Sequence, residues 1–174
     1  MFSTDEDYRR ADWPLVQNGA VTLFRRREIL GETIQSLTDL GYGVAWIECG
    51  RGEALFHRQV SDMLRWEDQF GYGPWTGNLD ALNDGFRGFP FGSSHRDAVV
   101  FLDWHAIAGP EPARAHAILD IIEGVAWGAL LRGNLLLALV QTDDPRYECP
   151  NIGARHAGWN RREWLPSARG LGSG

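Results

Sequence analysis

Three short apolar runs, VAWIECG at 44–50, AVVFLDW at 98–104 and LLLALV at 135–140, constrain this chain more than any other feature. A strand with one wet face alternates apolar and polar residues; these runs barely alternate, so each calls for cover on both faces. Between them, apolar residues recur at intervals of three and four. Phe56, Val60 and Leu64 share one face of a helix expected over 54–66. Ile118, Ile121, Ile122 and Val125 do the same over 112–132, where Pro112 opens the pattern and Gly133 closes it. Doubly buried strands joined by helices predict an α/β fold with a small, largely parallel sheet packed with helices.

The N-terminal part adds a strand and a helix to that plan. Leu30, Ile34 and Leu37 recur at helical spacing and Gly41 follows as a stop signal. Before them, WPLVQNGAVTLF at 13–24 has two apolar runs flanking Asn18 and Gly19, which predicts a hairpin with a tight turn. The segments 68–75 (DQFGYGPW) and 88–97 (GFPFGSSHRD) read as loops. With 174 residues, one domain is expected, having a core at about 43–141, an N-terminal extension at 1–42 and a C-terminal extension at 142–174 that ends in a loose tail, SARGLGSG.

Charge and motifs exclude several classes of function. A net charge of −6, with RRR at 25–27 as the densest basic cluster, disfavours direct nucleic-acid binding and suits a basic protein partner. No apolar run has the length of a membrane span, and the start MFSTDEDYRRADW is too polar and acidic for a secretory leader, so a cytoplasmic location is expected. Cys49 and Cys149 lie far apart with no CxxC pair, implying neither a zinc site nor a disulfide framework. No nucleophile elbow, dinucleotide fingerprint or phosphate loop occurs, and the five histidines are scattered. Asp103 and His105 are the one Asp–His set able to shuttle a proton or hold a divalent ion, and no second ligand spacing supports them. Neither a cofactor, a metal nor a catalytic residue is expected. Trp46, Trp104 and Trp127 are expected in the core, while Trp159 and Trp164 either clamp the C-terminal extension or mark a partner surface.

One segment resists a purely structural account. In TGNLDALNDGF, at 76–86, a helix would put Leu79, Leu82 and Phe86 on a core-facing stripe and Asp80 with Asp84 on another face. Asp80 falls in the first turn, where the helix dipole favours a carboxylate and Asn78 or Thr76 can cap the free amides. Asp84 has no such reason. Like charges four apart repel by a few tenths of a kcal/mol, and mid-helix acids gain nothing from the dipole. The ordinary account of such a pair is a solvated acidic face.

The segment from about residue 66 to 104 resembles the barstar family, the intracellular protein inhibitors of barnase-type microbial ribonucleases. The resemblance is carried by GNLDALND, by Arg87-Gly88-Phe89 after it, and by the strand ending FLDW at 101–104; the order of strands and helices extends it over about 43–141. It implies a barstar-like fold and binding without catalysis. In such inhibitors the helix with the two aspartates and its adjoining loops plug the ribonuclease active site, and the acids meet cations that would hold RNA phosphate. Carried over by position, Asp80 and Asp84 are the acidic plugs, Gly77 and Asn78 belong to the approach loop, Trp75 is that loop's aromatic, and Gly88 with Phe89 follow the helix. Asn83 and Arg87 complete the expected contact face. The chain departs from the family pattern in the order PWTGN, in Gly85 at a common cysteine position, in the positive charge of Arg87, and in having no acid between Gly124 and Gly133 at the end of the long helix. The expected partner is a basic ribonuclease, secreted or delivered as a toxin, against which the protein confers immunity. An adaptor that binds some other basic protein is the alternative, and a small enzyme using Asp80, Asp84 and His105 is the third reading.

Overall fold

The computed structural model describes residues 10–171. Five parallel strands form one sheet in the order β2-β3-β4-β1-β5, with β1 at Val21–Phe24, β2 at Gly43–Glu48, β3 at Arg96–Leu102, β4 at Leu135–Gln141 and β5 at Gly158–Trp159. One row across the sheet aligns Ala45, Val99, Ala138 and Val21. The helices are α1 at Trp13–Val16, α2 at Arg27–Asp39, α3 at Glu53–Met63, α4 at Trp66–Phe70, α5 at Leu79–Arg87, α6 at His105–Ala108 and α7 at Pro112–Leu130. The α/β fold with a small parallel sheet read from the sequence is the observed one.

The continuous apolar strands divide their side chains between two layers of helix. Ile47, Val99, Phe101, Leu136, Ala138 and Val140 face Phe56 and Val60 of α3, Leu82 and Phe86 of α5, and Ile118, Leu119 and Ile122 of α7. On the other side Ala98, Val100, Leu137 and Leu139 meet Ile29, Leu30, Ile34 and Leu37 of α2. Because β1 is fourth in the sheet order and β2 is first, α2 has to run across this second face to join them. The N-terminal strand–helix unit is thus the layer that closes the fold. A left-handed Gly41 (φ +82°) ends α2, and the amide of Tyr42 then donates back to the Leu37 carbonyl at 3.0 Å.

Four expectations are corrected. Residues 13–24 form no hairpin: Trp13–Val16 is a helical turn and Val21–Phe24 pairs in parallel with β4 and β5. The parallel partner claims β1, so Asn18 and Gly19 turn the chain from helix to strand. The expected loop at 68–75 begins inside α4, because Trp66 is buried and draws its turn onto the core. Trp46 and Trp127 stand about half exposed, at 47% and 49%, because β2 is an edge strand and the Trp127 ring lies under the Arg155 guanidinium. Trp104 is buried as expected.

The fourth correction concerns the C-terminal tail, which through residue 171 is a docked strap. Arg169 is buried, donates to the carbonyls of Pro145, Glu163 and Trp164, and lies over the Trp159 ring. Residues 172–174 of the expected loose tail lie outside the described residues. The strap's anchor is Glu163, whose fully buried carboxylate accepts the amides of Arg25 (3.1 Å) and Arg26 (2.9 Å) at the head of α2 and bonds Asn160. An anion at a helix start is stabilised by the free amides and the dipole together. Glu163→Ala leaves two amides without their acceptor and should lower unfolding free energy by about 2–4 kcal/mol. Glu163→Gln, which keeps an acceptor oxygen, should recover part of it. Urea midpoints measure both, and a loss below about 0.5 kcal/mol for Ala would mean the carboxylate does not anchor the strap.

Candidate functional site

α5 forms where the sequence pattern places it. Asn78 is extended (φ −68°, ψ 119°) and its side chain accepts the Ala81 amide at 2.9 Å, so the cap is Asn78 and not Thr76. Leu82 and Phe86 are buried and Leu79 is partly so. Gly85 lies against Trp66: a Cβ there would be 2.8 Å from the Trp66 ring. Gln69 of α4 further holds the helix by donating to the Gly85 and Leu64 carbonyls. After the helix, Phe89 is half-buried between the rings of Phe86 and Phe91.

With one side of α5 fixed, the other shows acid. Asp80 and Asp84 are exposed, and neither carboxylate has a hydrogen bond or ion pair among the described residues. Asn78, Arg87 and Gly88 are exposed; Gly77 and Asn83 are half-buried. Trp75 is the exception to the expected contact face. It is 1% exposed, its amide donates to Ser61 Oγ (2.8 Å) and its indole to the Asn78 carbonyl (2.7 Å), so it holds the approach loop from inside.

A groove of about 750 Å³ separates α5 from α7, lined on one side by Asp80, Asn83 and Arg87 and on the other by Asp120, Gly124, Gly128 and Arg132. The two helices start at the same end: both return to the sheet's leading edge on one face, and a Cβ on Gly77 would sit 3.7 Å from the guanidinium of Arg114 in the first turns of α7. Asp80 and Asp120 therefore lie toward one end of the groove, Arg87 and Arg132 toward the other. Asp84 is outside it. Sequence reasoning missed Asp120 because it looked for an acid between Gly124 and Gly133; the repeat Asp120, Gly124, Gly128, Arg132 at intervals of four was the available signal.

Beneath Gly77, which is left-handed at φ +101°, sits His57. Its ring meets Trp75 edge-on at 4.8 Å, and Nε2 is 2.9 Å from Arg114 Nη2. An arginine can only donate, so Nε2 accepts and the ring proton is on Nδ1. Glu53 and Glu111 hold the same guanidinium. Burial pushes the His57 pKa below its ordinary value, with Arg114 acting the same way and Glu53 opposing them.

The Asp–His set is real as a cluster and already satisfied. Asp103, His105 and Asp143 offer ligand atoms within 4.8 Å of one another. Arg27 pairs with Asp103 at 2.5 Å, Gln141 donates to Asp143 at 2.8 Å, and the Asp143 amide reaches His105 Nδ1 at 3.3 Å. His105 groups with these residues and not with Asp80 or Asp84, so the trio of the enzyme reading is not assembled. Cys49 and Cys149 are free thiols whose pKa values burial pushes up, the latter to about 11. Comparison with family models, with curated proteins and with solved structures finds no match.

The lowered His57 pKa has a signed consequence. Between its depressed folded value and the ordinary 6.5, the unfolded chain binds the proton more readily, so stability falls as pH drops through that window and is fully present above it. His57→Gln should flatten this part of the pH–stability curve, as read from urea midpoints between pH 7.5 and 5. A curve of unchanged slope would show that His57 does not carry it.

Proposed function

We propose that this protein is an intracellular inhibitor of a microbial ribonuclease, blocking the active site with α5 and the loops beside it. The observation that supports this best is the pair Asp80 and Asp84, exposed and unpaired on a helix whose opposite side is held by buried Leu82, Phe86 and the Gly85–Trp66 contact. A cleft that holds RNA phosphate presents preorganised cations. Carboxylates entering it form charge-assisted hydrogen bonds in a setting that excludes water, and truncating one leaves a buried unpaired cation. The resemblance of GNLDALND to the barstar family points to the same partner class, and the net charge of −6 suits encounter with a basic protein. Among the described residues no helix is long and apolar enough to cross a membrane.

A second reading, an adaptor for another basic protein, draws support from Arg87, a cation on the same helix that a uniformly basic cleft would repel.

Titration against barnase-type ribonucleases, read as loss of RNA cleavage at stoichiometric inhibitor, tests the proposal. Asp80→Ala and Asp84→Ala should each weaken inhibition by about tenfold or more. Asp80→Ala also gives up a dipole interaction worth about 0.3–1 kcal/mol of stability, whereas Asp84→Ala removes a mid-helix repulsion and should melt no lower than wild type. Undiminished inhibition by both variants overturns the assignment of α5. Loss of binding to every ribonuclease tried, with retention of another basic protein, favours the adaptor.

A further inference from the structure

The groove between α5 and α7 has a charge pattern that an acidic plug alone does not need. Asp80, Asn83, Arg87 and Arg132 line it, and none of their side chains has a hydrogen-bond or ion-pair partner among the described residues. Asp120 accepts the Gly153 amide at 2.7 Å and meets no cation. Opposite charges are thus present in one groove and separated along it, where pairing would have neutralised both. Leu79, Ile121 and Val125 also line it, and along the α7 side two positions carry no side chain. A Cβ on Gly124 would meet nothing within 4 Å, and one on Gly128 would touch only the Arg132 guanidinium, at 3.6 Å. A glycine inside a helix weakens it relative to alanine, so two of them facing an open groove give up helix stability for access.

Resting on the reading of α5 as the partner face, we propose that this groove seats an extended polypeptide segment of mixed charge, with a basic side chain at Asp80 and Asp120 and a carboxylate between Arg87 and Arg132. Charge complementarity selects that occupant. A wholly basic segment is repelled at the arginine end and a wholly acidic one at the other, while a segment with both signs satisfies four charges in one register. Spacing follows from geometry: seven residues of helix between Asp80 and Arg87 rise about 10 Å, matched by about three residues of extended chain. The open space beside Gly124 lets the segment's backbone lie close to α7, and Asn83 supplies a donor and an acceptor midway. The partner's contact surface then carries an acidic residue about three positions from its arginine or lysine, and this register selects one ribonuclease among several basic ones.

Two kinds of experiment separate this proposal from the functional reading beneath it. The full-length ¹⁵N-labelled protein is titrated with the capped tetrapeptides Arg-Gly-Gly-Glu, Arg-Gly-Gly-Arg and Glu-Gly-Gly-Glu and with inorganic phosphate. The mixed peptide should shift the Asp80, Asn83, Gly124 and Arg132 amides and bind about tenfold more tightly than either like-charged peptide. Equal binding of the all-basic peptide would reduce the groove to an acidic surface. Phosphate bound at Arg87 and Arg132 as tightly as the mixed peptide would make it a plain anion site. Either result overturns the proposal. Gly124→Leu should fold, melt no lower than wild type and lose the mixed peptide; full retention of the peptide overturns the proposed seat. In the second experiment, Arg87→Glu with Arg132→Glu should lose about tenfold in inhibition of a ribonuclease that the wild type blocks, and unchanged inhibition counts against the groove. If the wild type blocks no ribonuclease, the functional reading falls, and the peptides alone decide the groove.

Discussion

Everything in this molecule depends on a parallel sheet whose central strands, β3 and β4, are apolar on both faces. Val100, Leu137 and Leu139 point away from the layer that carries α5 and are buried by α2. Burying side chains of this size contributes about 1.5–3 kcal/mol each, so these three alone approach the entire net stability of an ordinary domain. The sheet order makes the same demand from another direction, because joining β1 to β2 obliges α2 to run across that face. The C-terminal strap then secures the start of α2 through Glu163, so that the described parts of both extensions belong to one closed structure.

Rigid support of α5 follows from the first layer. A helix of nine residues is too short to hold itself in water, and this one is set by the Asn78 cap, by Leu82 and Phe86, and by Trp66 lying against Gly85. Trp75 and His57 fix the loop that leads into it. Two unpaired carboxylates on such a mount cost little while they face water. They become expensive when a partner strips that water away without supplying cations, which is how an exposed acidic face discriminates between partners.

Much of this was legible in the sequence, and most of the misses share a cause. Runs at 98–104 and 135–140 gave strands because continuous apolarity has one good explanation in a chain of this length, and Leu30, Ile34 and Leu37 gave α2 because their spacing has no other period. The Asn18-Gly19 pair misled, since a turn signal is local and the partner of β1 lies more than a hundred residues away. Trp75 was legible as an aromatic beside the helix and not as a buried one, because its environment is made by Ser61 and His57 of α3. Asp143 and Glu163 were overlooked for the same reason, each acquiring its meaning from a segment distant in sequence, whereas Asp120 had a local signal in its four-residue spacing to Gly124, Gly128 and Arg132.

The division between Asp80 and Asp84 assigns different physics to two residues that the sequence presents as a pair. Asp84 projects outside the groove, and an exposed charge acts on an approaching cation over roughly the screening length, about 8 Å at physiological ionic strength. Under the proposed function, with the net charge of −6 behind it, its first effect is on encounter with a basic surface. Asp80 lines the groove together with Asn83 and Asp120, so under the proposed groove binding a cation seated there gives up freedom of position. Its effect is on what stays bound. A helix that keeps one carboxylate on its flank and one in a groove can attract many basic proteins and retain few, provided the far end of the groove rejects the rest. Arg87 and Arg132 stand at that end.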